Sequence, residues 1–258
     1  MGSTILQVER SGAVARLILN RPQAHNPIDL ELADALHEAL LSLRGDAGVR
    51  AVTVEGAGPS FSAGADLKYF LGIVNDAPRI THYIHRLRDT FNALETFPRP
   101  VLAIVRGYCL AGGLELMLAC DFALAAEDAQ LGDQHANYGL FPGGGASQRL
   151  PRLIGERKAK ELMLLGSRID GREAERLGLV NRALPAAELD AAVRAWLERL
   201  TEKSPTGLSY MKQAIRLSAS VPPEAGIEFE AAKFLEYARL PDLKEGLDAF
   251  SAKRKPRF

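Results

Sequence analysis

The chain has 258 residues, enough for one large domain or for a core with a small appendage. Its 32 basic side chains balance 32 acidic ones, so it lacks the basic excess from which a nucleic-acid protein draws most of its affinity. No apolar run approaches the ~18 residues that span a bilayer, and the opening Met1-Gly2-Ser3-Thr4-Ile5-Leu6-Gln7 lacks the basic-then-apolar plan of a secretion signal. These features point to the cytoplasm, with neither a nucleic acid nor a membrane as partner.

In chain order, Val14 to Leu19 alternates and reads as a strand. Asp29 is a candidate N-cap for a helix over 30–43, where Leu32, Leu36, Leu40 and Leu43 recur at helical spacing. A strand over 50–54 precedes a Gly/Ser-rich stretch from Gly56 to Gly64, and a further helix covers 80–94. Pro98 and Pro100 introduce an apolar strand, Val101 to Val105. It runs into a loop of small residues, a helix over 114–119 and a strand over 121–125. Helices follow over 156–165 and 171–177, then a last strand over 179–184, and beyond Pro185 the pattern is helical nearly to the end. Strand, loop and helix in alternation predict an α/β layered fold. The expected division is a core over 1–200 and a helical region over 201–258.

Several chemistries find no motif. No Gly-Lys-Ser/Thr follows a Gly-rich stretch, Gly56-Ala57-Gly58 lacks the third glycine of a dinucleotide loop, and Gly145 to Arg149 fails the nucleophile-elbow pattern. His82 and His85 have no carboxylate partner in a zinc arrangement and read as a solvated helix face. Cys109 and Cys120 match no zinc spacing and read as buried, inert thiols.

Two segments stand out: Phe61 to Lys68 after a strand, and Gly107 to Glu115 between a strand and a helix. Small residues let backbone N–H groups approach a ligand, and the second loop sets amides at a helix N-terminus, where partial positive charge collects. Two such loops facing each other can form an oxyanion hole with Glu115 beside it. On these residues alone a second reading stands equally: ordinary Gly-rich turns, and a glutamate that complements the helix dipole.

Taken together, Asn20-Arg21-Pro22, Phe61 to Lys68, Gly107 to Asp121, Leu131 to Leu150 and Glu245 to Phe250 resemble, in order and spacing, the enoyl-CoA hydratase/isomerase (crotonase) family. The resemblance covers essentially the whole chain. It implies a crotonase-like spiral of ββα units with a C-terminal helical trimerisation region, a homotrimer or homohexamer, and an acyl-CoA thioester as substrate, with no separate cofactor and no metal. It places the thioester oxygen between the backbone N–H groups of Ala65 and Gly112, the first catalytic glutamate at Glu115, and the glycine that helps hold a water at Gly143. CoA contacts fall on Ala63, Asp66, Leu67, Lys68 and Lys253. Lys253-Arg254-Lys255 also reads as a solvated helix end. The acyl pocket is expected along 69–94.

One position departs from the family pattern. Hydratases carry a second glutamate in Phe-Gly-x-Pro-Glu; here the segment is Leu131-Gly132-Asp133-Gln134-His135, with His135 at the glutamate position. A carboxylate and an imidazole can still divide acid and base roles, and Glu115 would favour the imidazolium. Hydration of a 2-enoyl-CoA is the leading expectation. Double-bond isomerisation by Glu115 alone, β-keto C–C hydrolysis, and a non-catalytic CoA-binding role stand as alternatives. His135 also reads as a core histidine satisfied by Asp133 or a carbonyl. Asp133 itself, on an extended segment, would share a face with His135 and could replace the lost carboxylate.

Overall fold

A computed structural model describes residues 5–258; the reading of the N-terminus as no secretion signal falls largely on Met1 to Thr4, outside the described residues. Six strands form the main sheet: β1 (Leu6–Ser11), β2 (Val14–Leu19), β3 (Ala51–Gly56), β4 (Val101–Val105), β6 (Phe122–Ala126) and β9 (Arg182–Leu184), side by side in that order. Only the β1–β2 pair is antiparallel. All five residues of β4 are buried, as expected of a central parallel strand covered on both faces. A second sheet of three short strands, β5 (Tyr108–Leu110), β7 (Gln130–Gly132) and β8 (Ile169–Asp170), lies in the order β5-β7-β8. The chain thus passes from a strand of the large sheet to one of the small sheet and then to a helix, as in β4, β5 and α4 (Gly112–Leu118).

Two long helices back the site. In α1 (Leu30–Arg44), Asp29 caps the first turn by accepting from Leu32 N at 2.9 Å, and Leu32, Ala33, Leu36, Leu40 and Leu43 are buried. α3 (Ala77–Glu95) starts at Asp76, whose side chain accepts from Arg79 N, and buries Tyr83, Leu87, Thr90, Phe91 and Leu94. The two pack together, with Thr90 Oγ1 donating to Ala33 O at 3.1 Å. Arg21 joins their surroundings to the first loop: its guanidinium lies 2.7 Å from Asp29 and 3.3 Å from Asp66, the cap of the short α2 (Leu67–Leu71). The Asn26 amide pins the preceding turn by donating to the carbonyls of Ala57, Ser60 and Phe61.

The second half is mostly helical: α5 (Ala146–Ile154), α6 (Glu156–Leu164), α7 (Gly171–Arg176), α8 (Ala186–Thr201), α9 (Pro205–Ser218), α10 (Pro223–Tyr237) and α11 (Pro241–Ser251). Neither α9 nor α10 buries a residue, yet Met211, Ile215, Ile227, Phe234 and Leu235 project from them.

Several elements differ from the sequence expectation. β1 is an added edge strand whose only buried residue is Leu6, so it carries no apolar alternation. α4 starts at Gly112 rather than 114: a Cβ at Gly113 would lie 2.4 Å from Ser62 O, so packing, not helix propensity, selects glycine there. The strand expected over 179–184 pairs only from Arg182.

Candidate active site

The first loop is stitched to the small sheet. Ser62 N donates to Tyr108 O at 2.9 Å and Leu110 N to Ser62 O at 3.0 Å. On its other side Ile28 bridges Ala65 in parallel fashion, through Ile28 N to Gly64 O (2.8 Å) and Asp66 N to Ile28 O (2.9 Å). A parallel bridge of this form uses the carbonyl before Ala65 and the amide after it, and so leaves the Ala65 N–H without a backbone partner. Gly64 has φ +104°, and a Cβ there would stand 2.8 Å from Leu110 O and 3.0 Å from Gly112 N. The two loops touch at this point.

The second loop turns at Ala111, whose φ of 47° and ψ of −118° are unusual for a residue with a Cβ. Such a conformation costs ~1–3 kcal/mol and persists only where its surroundings enforce it. Here the Ala111 amide is held by Gly132 O at 3.0 Å. Gly112 then opens α4 with an amide that has no carbonyl one turn back to bond. A Cβ on Gly112 would lie 3.2 Å from Ala65 N. Two amides without a backbone partner among the described residues thus come from different loops to one place.

That place is the wall of a cavity of about 60 Å³, lined by Ala65, Gly112, Glu115, His135 and Gly143 among others. The rest of the wall is largely apolar, with Leu67, Phe70, Ile84, Leu87, Leu140 and Phe141. Phe70, Tyr83, Ile84 and Leu87 all come from the 69–94 stretch expected to line an acyl pocket. The Tyr83 hydroxyl donates to Ile28 O at 2.7 Å, and burial holds its pKa far above the usual range.

Glu115 is only 2% exposed. Its Oε1 accepts from Gly144 N at 2.8 Å and from Ala146 N at 3.0 Å, while Oε2 makes no such bond. Burial pushes its pKa up; the Ala146 amide, the His135 charge and the Gly144 amide pull it partly back. A carboxylate tuned upward is a stronger base. Gly144 admits no side chain, because a Cβ would lie 2.5 Å from the Phe91 ring and 2.8 Å from Glu115 Oε2. Arg149 clamps this loop: Nη1 donates to Gly144 O at 2.7 Å, and the same guanidinium pairs with Glu95 of α3 at 2.7 Å and with Asn92 at 3.0 Å.

His135 opens a 3-10 turn, His135–Tyr138, and is 8% exposed. Asp133 Oδ1 lies 2.9 Å from its Nδ1 and 3.1 Å from its backbone N. Burial alone would lower the pKa of the imidazole, but the bond to Asp133, that carboxylate's charge and the charge of Glu115 outweigh it, and the net shift is upward. The backbone turns at Gln134 (φ −104°, ψ 4°), so the expectation of an extended segment is corrected. Asp133 is not among the residues lining this cavity but lines the adjoining one, and its carboxylate lies against His135.

The residues expected to contact CoA are spread more widely. Leu67 lines the cavity, whereas Ala63, Asp66, Lys68 and Lys253 do not. The Ala63 amide donates to His25 O, and Asp66 is engaged in capping α2 and in pairing with Arg21. Lys68 is exposed on α2, and Lys253 is exposed just after α11, where Arg254 and Lys255 pair with Glu245 and Glu202. Among the described residues no group of three or more His, Cys, Asp or Glu could hold a metal ion. Cys109 is fully buried and Cys120 half-buried, and burial pushes both thiols up, away from the reactive thiolate.

The family model described as enoyl-CoA hydratase/isomerase matches residues 9–258. The chain belongs to the enoyl-CoA hydratase/isomerase family. It is 38% identical to a probable enoyl-CoA hydratase of Bacillus subtilis, over 95% of each chain. It is 39% identical to a putative enoyl-CoA hydratase of Thermus thermophilus, over 98% of this chain and 100% of the other. The crystal structure of an enoyl-CoA hydratase from Bacillus anthracis superposes with a TM-score of 0.94 at 36% identity, covering 98% of both chains. Pseudomonas aeruginosa DspI gives 0.95 at 33% identity, covering 100% of this chain and 98% of its own. The fold is therefore crotonase-like, and the family is one of enzymes acting on acyl-CoA thioesters. Within this enoyl-CoA hydratase/isomerase member, the amides of Gly144 and Ala146 hold Glu115 and Arg149 holds the Gly144 loop, none of them singled out as a site residue in the sequence.

Proposed function

We propose that the protein adds water across the double bond of a 2-enoyl-CoA. The observation that carries this reading is the meeting, in one largely apolar cavity, of two amides without backbone partners (Ala65 and Gly112) with a buried carboxylate and an imidazole. The thioester oxygen sits between the two amides, where donors fixed in advance stabilise the enolate oxygen at no cost of reorganisation; a single such donor is worth ~10²–10³ in kcat. Glu115 takes a proton from a water near Gly143 through its free Oε2. The oxygen of that water bonds to the β-carbon as the π electrons shift onto the thioester. The α-carbon then takes a proton from the His135 imidazolium. Glu115 ends protonated and His135 neutral, and a net proton transfer between them through solvent resets the pair. The names of the hydratase relatives support the same reaction.

Isomerisation is the second reading, because Glu115 is the one carboxylate among the lining residues and could shuttle a proton between α- and γ-carbons alone. Product mass after incubation with 2-enoyl-, 3-enoyl- and β-ketoacyl-CoA thioesters separates the cases. Gain of one water by the 2-enoyl substrate supports hydration. A rearranged product of unchanged mass from the 3-enoyl substrate, with no water gained by the other, overturns it. Residues 201–258 are assigned to trimerisation, consistent with the uncovered apolar side chains of α9 and α10.

A further inference from the structure

We propose that Asp133 is the positioning residue for His135: its Oδ1 accepts a hydrogen bond from Nδ1–H and thereby leaves Nε2, on the far edge of the ring, as the atom that exchanges a proton with the acyl group. The inference rests on the hydratase reading of the cavity and adds a third member to its acid–base machinery.

Asp133 Oδ1 meets two donors of one residue, the backbone N–H of His135 at 3.1 Å and the ring Nδ1 at 2.9 Å. The first is a donor under all conditions, so Oδ1 acts as an acceptor, and Nδ1 completes the pair only by carrying a hydrogen. In the neutral ring that assignment puts the lone pair on Nε2. His135 and Glu115 are the only imidazole and carboxylate among the residues lining the cavity. Asp133 is 1% exposed and does not line it; it lines the adjoining cavity on the other side of His135.

A purely structural role explains less. Holding the turn needs only Oδ1. Oδ2 is buried with no hydrogen-bond partner among the described residues, an arrangement that costs free energy. A negative charge kept at that cost becomes useful when the neighbouring ring is positive, as it is before proton delivery. Other charged groups also surround His135. Glu115 faces it from α4, and on α6, packed against the turn, Glu156 and Lys160 line an adjoining cavity with His135 but pair with each other at 2.5 Å.

The test combines nitrogen NMR of histidine-labelled protein with kinetics of Asp133→Asn, His135→Ala and the double variant. In the wild-type protein the neutral His135 ring is expected to carry its hydrogen on Nδ1, a measurement that needs no variant to fold. In Asp133→Asn the titration midpoint of His135 moves down, because the bond and charge that raise it are weakened. Its kcat for a 2-enoyl-CoA falls ~10²-fold with little change in KM. In the His135→Ala background the same change costs almost nothing more, since the pair acts as a unit. A hydrogen on Nε2 of the neutral ring, an unmoved titration, or an equal loss in the His135→Ala background overturns the proposal. Absence of enoyl-CoA turnover in every protein, with the Nδ1 hydrogen present, overturns the hydratase reading while supporting the Asp133–His135 pairing.

Discussion

Gly144 is where the smallest chemical change bears most directly on Glu115, the base of the proposed hydration. Its amide donates to Glu115 Oε1 at 2.8 Å, and a methyl added to it would meet Phe91 Cε2 at 2.5 Å and Glu115 Oε2 at 2.8 Å. Phe91, at 0% exposed, is enclosed by the core, and Glu115 could yield only by swinging Oε2 further into the cavity it lines. In Gly144→Ala the loop must therefore move, taking its amide with it. Overpacking of this kind costs ~1–3 kcal/mol of stability. A hydrogen bond to a charged group contributes ~1.5–3 kcal/mol, which, withdrawn from a correctly held base, lowers kcat/KM by roughly 10- to 150-fold. The pH dependence gives a second signature. The Gly144 amide is one of the bonds that hold the Glu115 pKa down against burial, so its loss raises that pKa further. Glu115 works as a base only when ionised, so the acid limb of the kcat/KM profile moves to higher pH. The assay is a pH series of hydration of a short 2-enoyl-CoA, followed by loss of the conjugated thioester's ultraviolet absorbance, with thermal unfolding measured in parallel. A folded variant whose acid limb stays in place or moves to lower pH refutes the assignment of this amide to the working base.

Three further outcomes are expected. Glu115→Gln loses ~10²–10⁴ in kcat while still binding CoA thioesters. Because the folded-state pKa of Glu115 is raised, its ionised form costs stability once pH rises through that pKa and costs none well below the unfolded value; Glu115→Gln is thus at least as stable as wild type at neutral pH by thermal unfolding. Arg149→Ala leaves Glu95 unpaired and frees the Gly144 carbonyl, so kcat falls with little change in KM, Arg149 being absent from the cavity wall; a rise in KM alone would contradict the clamp. Tyr83→Phe costs only ~0.5–1.5 kcal/mol in denaturant unfolding, because Ile28 O keeps the Asp66 amide as a second donor, and it leaves the pH profile unmoved.

The large sheet and α1 are readable in the sequence because burial writes itself into residue type: Val101 to Val105 is uniformly apolar, and the leucines of α1 keep helical spacing. β5, β7 and β8, at three, three and two residues, are too short to display any period. Glu115, His135 and the two glycine-bearing loops stand out because their side chains, or lack of them, are unusual where they occur. The amides of Gly144 and Ala146 left no such trace, since every residue but proline has one and only the folded chain aims it. Asp133 was visible, but its role depended on a turn at Gln134 that brings its carboxylate onto the imidazole instead of beside it. The apolar side chains of α9 and α10 have helical pattern without an intramolecular partner, so the pattern located the helices and not what covers them.

Glu115 is tethered through one oxygen only. A carboxylate anchored on one side keeps its second oxygen as a pivoting arm, able to reach neighbouring carbons of a bound chain without breaking its anchor. Which carbon it serves is then decided by the apolar wall that sets the chain's depth and bend. Redirecting the chemistry of such a scaffold is a matter of reshaping residues such as Phe70, Ile84 and Phe141, with the anchor itself left untouched.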